Sequence, residues 1–428
     1  MAWMGDRLRR VWPGKGNGDA GGNGRRDVHL GEPGFLSKLV RRRRLESLFL
    51  FVTGRCNSNC RTCFYAGKMD AGADLSFEQL EELSRTAPRF DKLWLSGGEP
   101  FLRSDLVDII ALFHRTNGIQ SINLPTNGLL PERILDMCAA LLERCPKLNV
   151  HLNFSLDGLG AKHDRVRGVP GAFATTAATM DRVRQRFGGH PRLLVNVASV
   201  VTPEALDDMP ALGAYLQRKG GVATHFFEAV RGQPRDPATK GLSPGQLERL
   251  HAELMPLYER MADGLFDQIP AHARWFAKLY FMGVIRFAYD LQEANLQGPA
   301  PWGMDCTAGQ TTAVIDHDGA LRACEMRPPV ARLQDFDCDL GAALGSAAWR
   351  REVRAIGGGG GANCWCTHTC WVLSSMKFSP ATLLYRVPRA WLRARQQARC
   401  APGLPAVDPA RIEQQAAATT TTTTTRET

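Results

Sequence analysis

The sequence predicts an α/β fold built on a parallel sheet, followed by a smaller cysteine-bearing region. Three observations carry this expectation. Between residues 44 and 231, six strand-like runs alternate with helix-like stretches. Cysteine, Gly-Gly-Glu, Asn-Gly and Asp-Gly signals fall directly after the first four runs, where parallel α/β sheets carry their sites. The twelve cysteines gather in two groups plus a few isolated positions. A chain of 428 residues suits one large domain and a smaller one.

The strand runs are 45–53, 92–96, 119–125, 149–156, 193–201 and 222–229. Helix starts are announced by Ser76 before Phe77, Glu78 and Gln79, by Ser104 before Asp105, by Pro131 in a first turn, and by Pro203 with Glu204. Such alternation implies a parallel sheet, either doubly wound or curled into a partial βα barrel. Residues 242–296 read as a packed helical connector, with Leu247, Leu250, Leu254 and Leu257 at helical spacing. The second cysteine region, 306–370, is interrupted by the glycine run 357–361, read as a loop.

Five stretches follow: a disordered Gly/Arg-rich segment 1–43, a core domain 44–235, the connector 236–300, an auxiliary domain 301–375, and a C-terminal helix with a disordered tail 376–428. Residues 383–399 mix Leu, Tyr, Val and Trp with five arginines, and Pro388 interrupts them. Such a segment ordinarily docks on its domain with solvated arginines; contact with an anionic membrane surface is the rarer reading.

Apolar residues at 44% and charged residues at 22% mark a globular chain. The net charge of +10 is concentrated in clusters such as residues 41–44 and 386–399, and no basic stripe interleaves with aromatics, so nucleic acid is not an expected partner. Residues 1–34 lack the apolar core of a signal peptide, and no stretch has spanning length, so a cytoplasmic location is expected. Clustered thiols in that compartment point to metal rather than disulfides.

Cys56, Cys60 and Cys63 place three thiols in one loop after the first strand run. Three thiolates serve three irons of a cubane and leave the fourth open. A structural zinc site takes four protein ligands; none lies nearby in sequence, and a distant one stays open. Gly97, Gly98, Glu99 and Pro100, and the Thr126-Asn127-Gly128 turn, read singly as ordinary strand-to-helix turns.

Taken together, this CxxxCxxC spacing, the aromatic Phe64 after it and the Gly-Gly-Glu-Pro turn resemble the radical S-adenosylmethionine (SAM) superfamily. The resemblance implies a partial (β/α)6 TIM-like barrel with a smaller C-terminal cysteine-rich auxiliary domain. It implies a [4Fe-4S] cluster on Cys56, Cys60 and Cys63, with SAM chelating the open iron and cleaved by one electron to a 5′-deoxyadenosyl radical. Glu99 would accept from the SAM ammonium, and Gly97 and Gly98 would let backbone approach the ligand. Ser155, Leu156, Asp157 and Gly158, then His163, Asp164, Arg167 and Gly168, look like the peptide-modifying and sulfatase-maturing branch, where Ser155 would meet the ribose or methionine part and Arg167 the carboxylate. Asn127 and Asn196 match pocket positions more loosely.

Cys306, Gly319 and Cys324 fit the opening of the SPASM and twitch auxiliary domains, with residues 316–319 as the hairpin turn between the two cysteines. Only a CxCx3C run follows, at Cys364, Cys366 and Cys370, so the resemblance implies one auxiliary [4Fe-4S] cluster on Cys306, Cys324, Cys370 and Cys366, the last ahead of Cys364. Zinc is the other reading of this thiol set. Cys138, Cys145 and Cys338 show no ligand spacing and read as small core hydrophobes. The implied partners are a peptide, sugar or other small-molecule substrate and an electron donor such as flavodoxin or ferredoxin. The rival class is a non-catalytic zinc-binding scaffold, which would be colourless.

Overall fold

The computed structural model describes residues 44–69, 72–267, 269–357, 364 and 366–424. The expected disorder of 1–43 and most of the 357–361 loop fall outside these residues. Six parallel strands appear where the alternation put them: β1 Ser47–Phe51, β2 Lys92–Ser96, β3 Ser121–Thr126, β4 Asn149–Ser155, β5 Leu193–Val201 and β6 Thr224–Ala229. They line up in sequence order, each strand pairing with the next. A doubly wound sheet would reverse direction at a switch point. This one does not, so the strands form a partial barrel.

The crossovers carry α1 Phe77–Thr86, α2 Leu106–Asn117, α3 Pro131–Arg144, α4 Ala161–Arg167, α5 Ala172–Phe187 and α6 Met209–Lys219. Ser76 caps α1 in a capping box with Gln79. The cap of α2 is Asp105 rather than Ser104, and its carboxylate turns to Arg103 at 2.7 Å instead of to the helix. Leu48, Leu50, Leu93, Ile122, Leu124, Leu152 and Val197 form the fully buried sheet face toward the helices. The alternate residues Phe49, Trp94, Asn123, Asn153, Ser155, Phe226 and Glu228 are half-buried on the other face. There Phe49 and Trp94 stack at 5.0 Å, and Asn153 donates to Asn123 at 3.1 Å.

The connector is α7 Pro244–Glu253, α8 Met255–Leu265 and α9 Ala271–Gln297. Then β7 Thr312–Ile315, β8 Ala320–Arg322 and β9 Ala331–Arg332 extend the same sheet. β7 runs parallel to β1, with Ser47 opposite Thr312, so the cysteine-bearing region shares one sheet with the barrel instead of standing apart from it. After α10 Leu340–Leu344 and α11 Ala347–Gly357 comes α12 Thr369–Met376, whose Trp371 ring lies 5.6 Å from Phe49 on the concave face.

The C-terminal segment is helical from residue 380 and passes through a π turn, Thr382–Arg386, into α13 Val387–Cys400; Pro388 lies inside this helix, just after the π turn, and Leu383 O, which its missing N–H would have served, accepts from Tyr280 Oη at 3.0 Å. One expectation about the C-terminus is corrected. The expected disordered tail is α14, Pro409–Thr424. Tertiary contacts hold it: Glu413 accepts from Tyr215 at 2.7 Å and from Lys219 at 2.5 Å, and Ala416 is buried. Among the described residues no helix is long and apolar enough to cross a membrane.

Candidate functional site

The loop carrying Cys56, Cys60 and Cys63 leaves the C-terminal end of β1 and is braced from the ends of the other strands. Gly98 N donates to Thr53 O at 2.8 Å, and Glu99 N donates to Arg55 O at 2.9 Å. A Cβ at Gly98 would lie 1.9 Å from Arg55 O, and one at Gly97, whose φ is +136°, would lie 2.4 Å from Thr53 O. The two glycines therefore admit the chain entering the cysteine loop; the close approach they allow is to protein backbone. After β3, Asn127 Nδ2 donates to Asn57 Oδ1 at 2.6 Å and to Ser58 Oγ at 2.9 Å.

The far side of the loop is tied to α4, where Asn59 N donates to Arg167 O at 3.0 Å and Arg61 N to Val166 O at 2.9 Å. Arg61 also forks onto Asp236 and Glu204, both at 2.7 Å, which anchors the stretch between Cys60 and Cys63 to segments following β5 and β6. Phe64 lies under the Arg231 guanidinium, 5.0 Å from its ring centroid.

The three cysteines are half-buried and unbridged. Burial, with charge on Cys60, Glu99 and Cys63 adding to it, pushes the Cys56 thiol up to about 12. Burial also raises Cys63. Arg167 donates to Cys60 Sγ at 3.6 Å and pairs with Asp157 Oδ2 at 2.8 Å. Burial disfavours that guanidinium, but Asp157 and Cys60 outweigh it and raise its pKa. Asp157, which stands in the Ser155–Gly158 motif without an expected role, is wholly buried and accepts from Val200 N at 2.8 Å.

Glu99 is 2% exposed. Its Oε2 accepts from Asn127 N at 2.8 Å and its Oε1 from Phe101 N at 3.3 Å. It makes no ion pair among the described residues, and burial pushes it up to about 7. Ser155 is half-buried as the last residue of β4. Asn196 sits inside β5 and accepts from Thr224 Oγ1 at 2.6 Å, so its amide is turned into the sheet.

In the second region, Asp316 N donates to Ala320 O and Gly319, with φ +89°, closes the hairpin that joins Cys306 to Cys324. Both cysteines are buried. Burial first, then charge on Glu325, Cys366 and Cys306, raises Cys324. Cys366 is pushed up to about 12 by burial, with Cys306 and Cys364 contributing. Burial raises Cys364, with Arg327 and Glu352 nearby. Glu325, which no motif marks, takes Arg231 at 2.9 Å and His368 at 2.7 Å. Against burial, those two cations hold Glu325 down to about 2. Burial and Arg231 oppose charge on His368, yet Glu325 and Cys370 hold it up at about 9. Cys138, Cys145 and Cys338 are buried in the core. Among the described residues, no three His, Cys, Asp or Glu side chains converge as a site for a single metal ion.

Comparison with known proteins adds three findings. The family model of the radical SAM superfamily matches residues 50–212, from the end of β1 into α6. A protein of Methanothermobacter thermautotrophicus named probable GTP 3',8-cyclase is 40% identical over 290 residues, covering 66% of this chain and 84% of that protein. An AdoMet-dependent heme synthase of Nitratidesulfovibrio vulgaris is 26% identical over 290 residues, covering 64% and 71%. Among solved structures, native anSMEcpe with bound AdoMet and Cp18Cys peptide matches with a TM-score of 0.52 at 15% identity, over 82% of this chain and 95% of that one. At that identity the likeness concerns the fold.

Proposed function

Because the chain belongs to the radical SAM superfamily, whose enzymes work with a [4Fe-4S] cluster and SAM, we propose that Cys56, Cys60 and Cys63 hold that cluster and that SAM binds beside Glu99. Bound together, the two would supply one-electron cleavage chemistry able to generate a 5′-deoxyadenosyl radical for hydrogen abstraction. The observation that carries the assignment is Glu99: a buried carboxylate with backbone donors on both oxygens, no ion-pair partner among the described residues, and a pKa raised to about 7. Such a group suits an incoming ammonium, which would restore its charge.

The chain's own residues then divide the work. Asn127 holds the cysteine loop through Asn57 and Ser58, fixing where the thiols point. Arg167, held by Asp157, donates to Cys60 Sγ and so helps fix the position of that sulfur. Ser155 lies on the concave face at the C-terminal end of β4, and deeper on that face Phe49, Trp94 and Trp371 pack ring to ring as an apolar floor that excludes water. The reading extends to a second [4Fe-4S] cluster on Cys306, Cys324, Cys366 and Cys370. It is supported by the nearness of Cys306 to the buried Cys324 and to Cys366, both of which it influences. A peptide or small molecule on the concave face is the proposed substrate, with an electron donor such as flavodoxin or ferredoxin.

Anaerobic reconstitution with iron and sulfide tests this. The wild type is expected to hold about eight irons per chain, Cys60→Ala and Cys306→Ala about four each. Formation of 5′-deoxyadenosine from SAM is expected to vanish in Cys60→Ala alone. Zinc in place of iron, with no SAM cleavage by the wild type, refutes the reading.

A further inference from the structure

The described residues expose five large hydrophobic side chains, and all five lie on one pair of packed helices. Trp275 and Phe276 stand at the start of α9; Leu384 and Tyr385 lie in the π turn and Leu392 in α13, each 52–66% exposed. They form one face. The Trp275 ring meets Trp391 edge-on at 6.2 Å, Phe276 lies 4.8 Å from Tyr280, and Tyr280 Oη donates to Leu383 O at 3.0 Å. A Cβ at Gly283 would come within 2.5 Å of Val387 O, so the helices cross closely and hold the face rigid. Scattered exposed hydrophobics need no explanation, but a continuous patch of this kind marks an interaction site.

On the α13 side of the patch the charge is basic, while Asp263, paired with Lys278, and Asp267 lie near the start of α9. Tyr385, Arg389, Leu392, Gln396 and Arg399 recur at three- and four-residue spacing along the exposed side of α13. Arg389 and Arg399 make no ion pair among the described residues; Arg393 pairs with Asp290, and Arg395 lies over the Trp391 ring at 5.5 Å. Residues 353–407 contain seven Lys or Arg and no Asp or Glu.

We infer that this face docks on an anionic phospholipid bilayer. The five apolar side chains enter the boundary between headgroups and acyl chains, and Arg389 and Arg399 meet lipid phosphates. Charge complementarity selects this occupant. A second copy would set two surfaces with an excess of arginine against each other, whereas an anionic bilayer supplies the opposite charge along the whole outer side of α13. Residues 1–43 carry ten Lys or Arg against four acids and are repelled as well. α13 docks on the domain by its inner side, through buried Val387, Ala390 and Ala394, which leaves its outer side for the membrane.

Co-sedimentation of the reconstituted full chain with vesicles tests the proposal, using phosphatidylcholine alone and phosphatidylcholine with added phosphatidylglycerol. The wild type is expected to sediment with the anionic vesicles, to stay largely in solution with the neutral ones, and to be released by high salt. Arg389→Gln with Arg399→Gln is expected to weaken binding about thirty-fold, from roughly 1 kcal/mol per basic side chain at an anionic surface. Leu384→Ser with Leu392→Ser is expected to abolish binding, with iron content and SAM cleavage in solution unchanged in both pairs. A wild type that stays in solution with both vesicle types, or a homodimer in light scattering that these substitutions split, overturns the proposal.

Discussion

Replacing Gly98 with alanine measures how closely the cysteine loop depends on its neighbour. The added Cβ would lie 1.9 Å from Arg55 O, 2.4 Å from Arg55 C and 3.0 Å from Cys56 Cβ. Ordinary contact begins at 3.4 Å, so the two segments must part by about 1.5 Å, and both contacting atoms of Arg55 belong to backbone that cannot rotate away. Parting breaks the Glu99 to Arg55 and Gly98 to Thr53 bonds, at about 1 kcal/mol each. Overpacking adds about 1–3 kcal/mol, for a total of about 3–5 kcal/mol. The displacement passes directly to Cys56. We expect Gly98→Ala to lower the melting temperature by several degrees and to reconstitute with about four irons instead of about eight. Gly264→Ala is the control: position 264 lies in α8 with nothing within 4 Å, so alanine there is neutral or gains about 0.5–1 kcal/mol. A Gly98→Ala protein that matches the wild type in melting temperature and iron would refute the close packing between the two turns.

Asn127→Ala removes the bonds to Asn57 and Ser58, and is expected to cost about 2 kcal/mol in urea unfolding and to slow iron incorporation. His225 is buried and neutral, its pKa pushed down to about 3 from 6.5 by burial, so its stabilising effect is complete above pH 6.5 and is lost as pH falls. Between about pH 7.5 and pH 5 the wild type should therefore lose about 2 kcal/mol more than His225→Phe, measured as urea midpoints. Glu413→Ala frees Tyr215 and leaves Lys219 with Asp181 alone; because the pair is partly exposed the cost is about 1 kcal/mol, read as faster tryptic cleavage after Arg411.

What could be read from the sequence was local. The runs 92–96 and 193–201 coincide with β2 and β5 because their apolar content and flanking turns lie within the run itself. The Ser76 cap was legible because its partner Gln79 is three residues away. Asp105 takes the cap position instead of Ser104, and its carboxylate goes to Arg103, which is itself fixed by Val52 O and Leu75 O, distant carbonyls that spacing does not record. Likewise α14 was hidden: a threonine run has weak helix propensity, and the contacts from Tyr215 and Lys219 that order it come from nearly two hundred residues upstream. The cysteine spacing marked the candidate ligands, while Asp157 and Glu325 acquire meaning only once Arg167 and Arg231 are seen beside them.

The pairing of β1 with β7 governs when this sheet can be completed. A ribosome releases β1, the first cysteine loop and all six barrel strands long before it reaches residues 312–315, the second neighbour of β1. During that interval the outer edge of β1 is bare, a template for pairing with a stray strand. The first cysteine loop, by contrast, is braced by elements that precede residue 312, so the sheet edge and the loop are completed at different stages of synthesis.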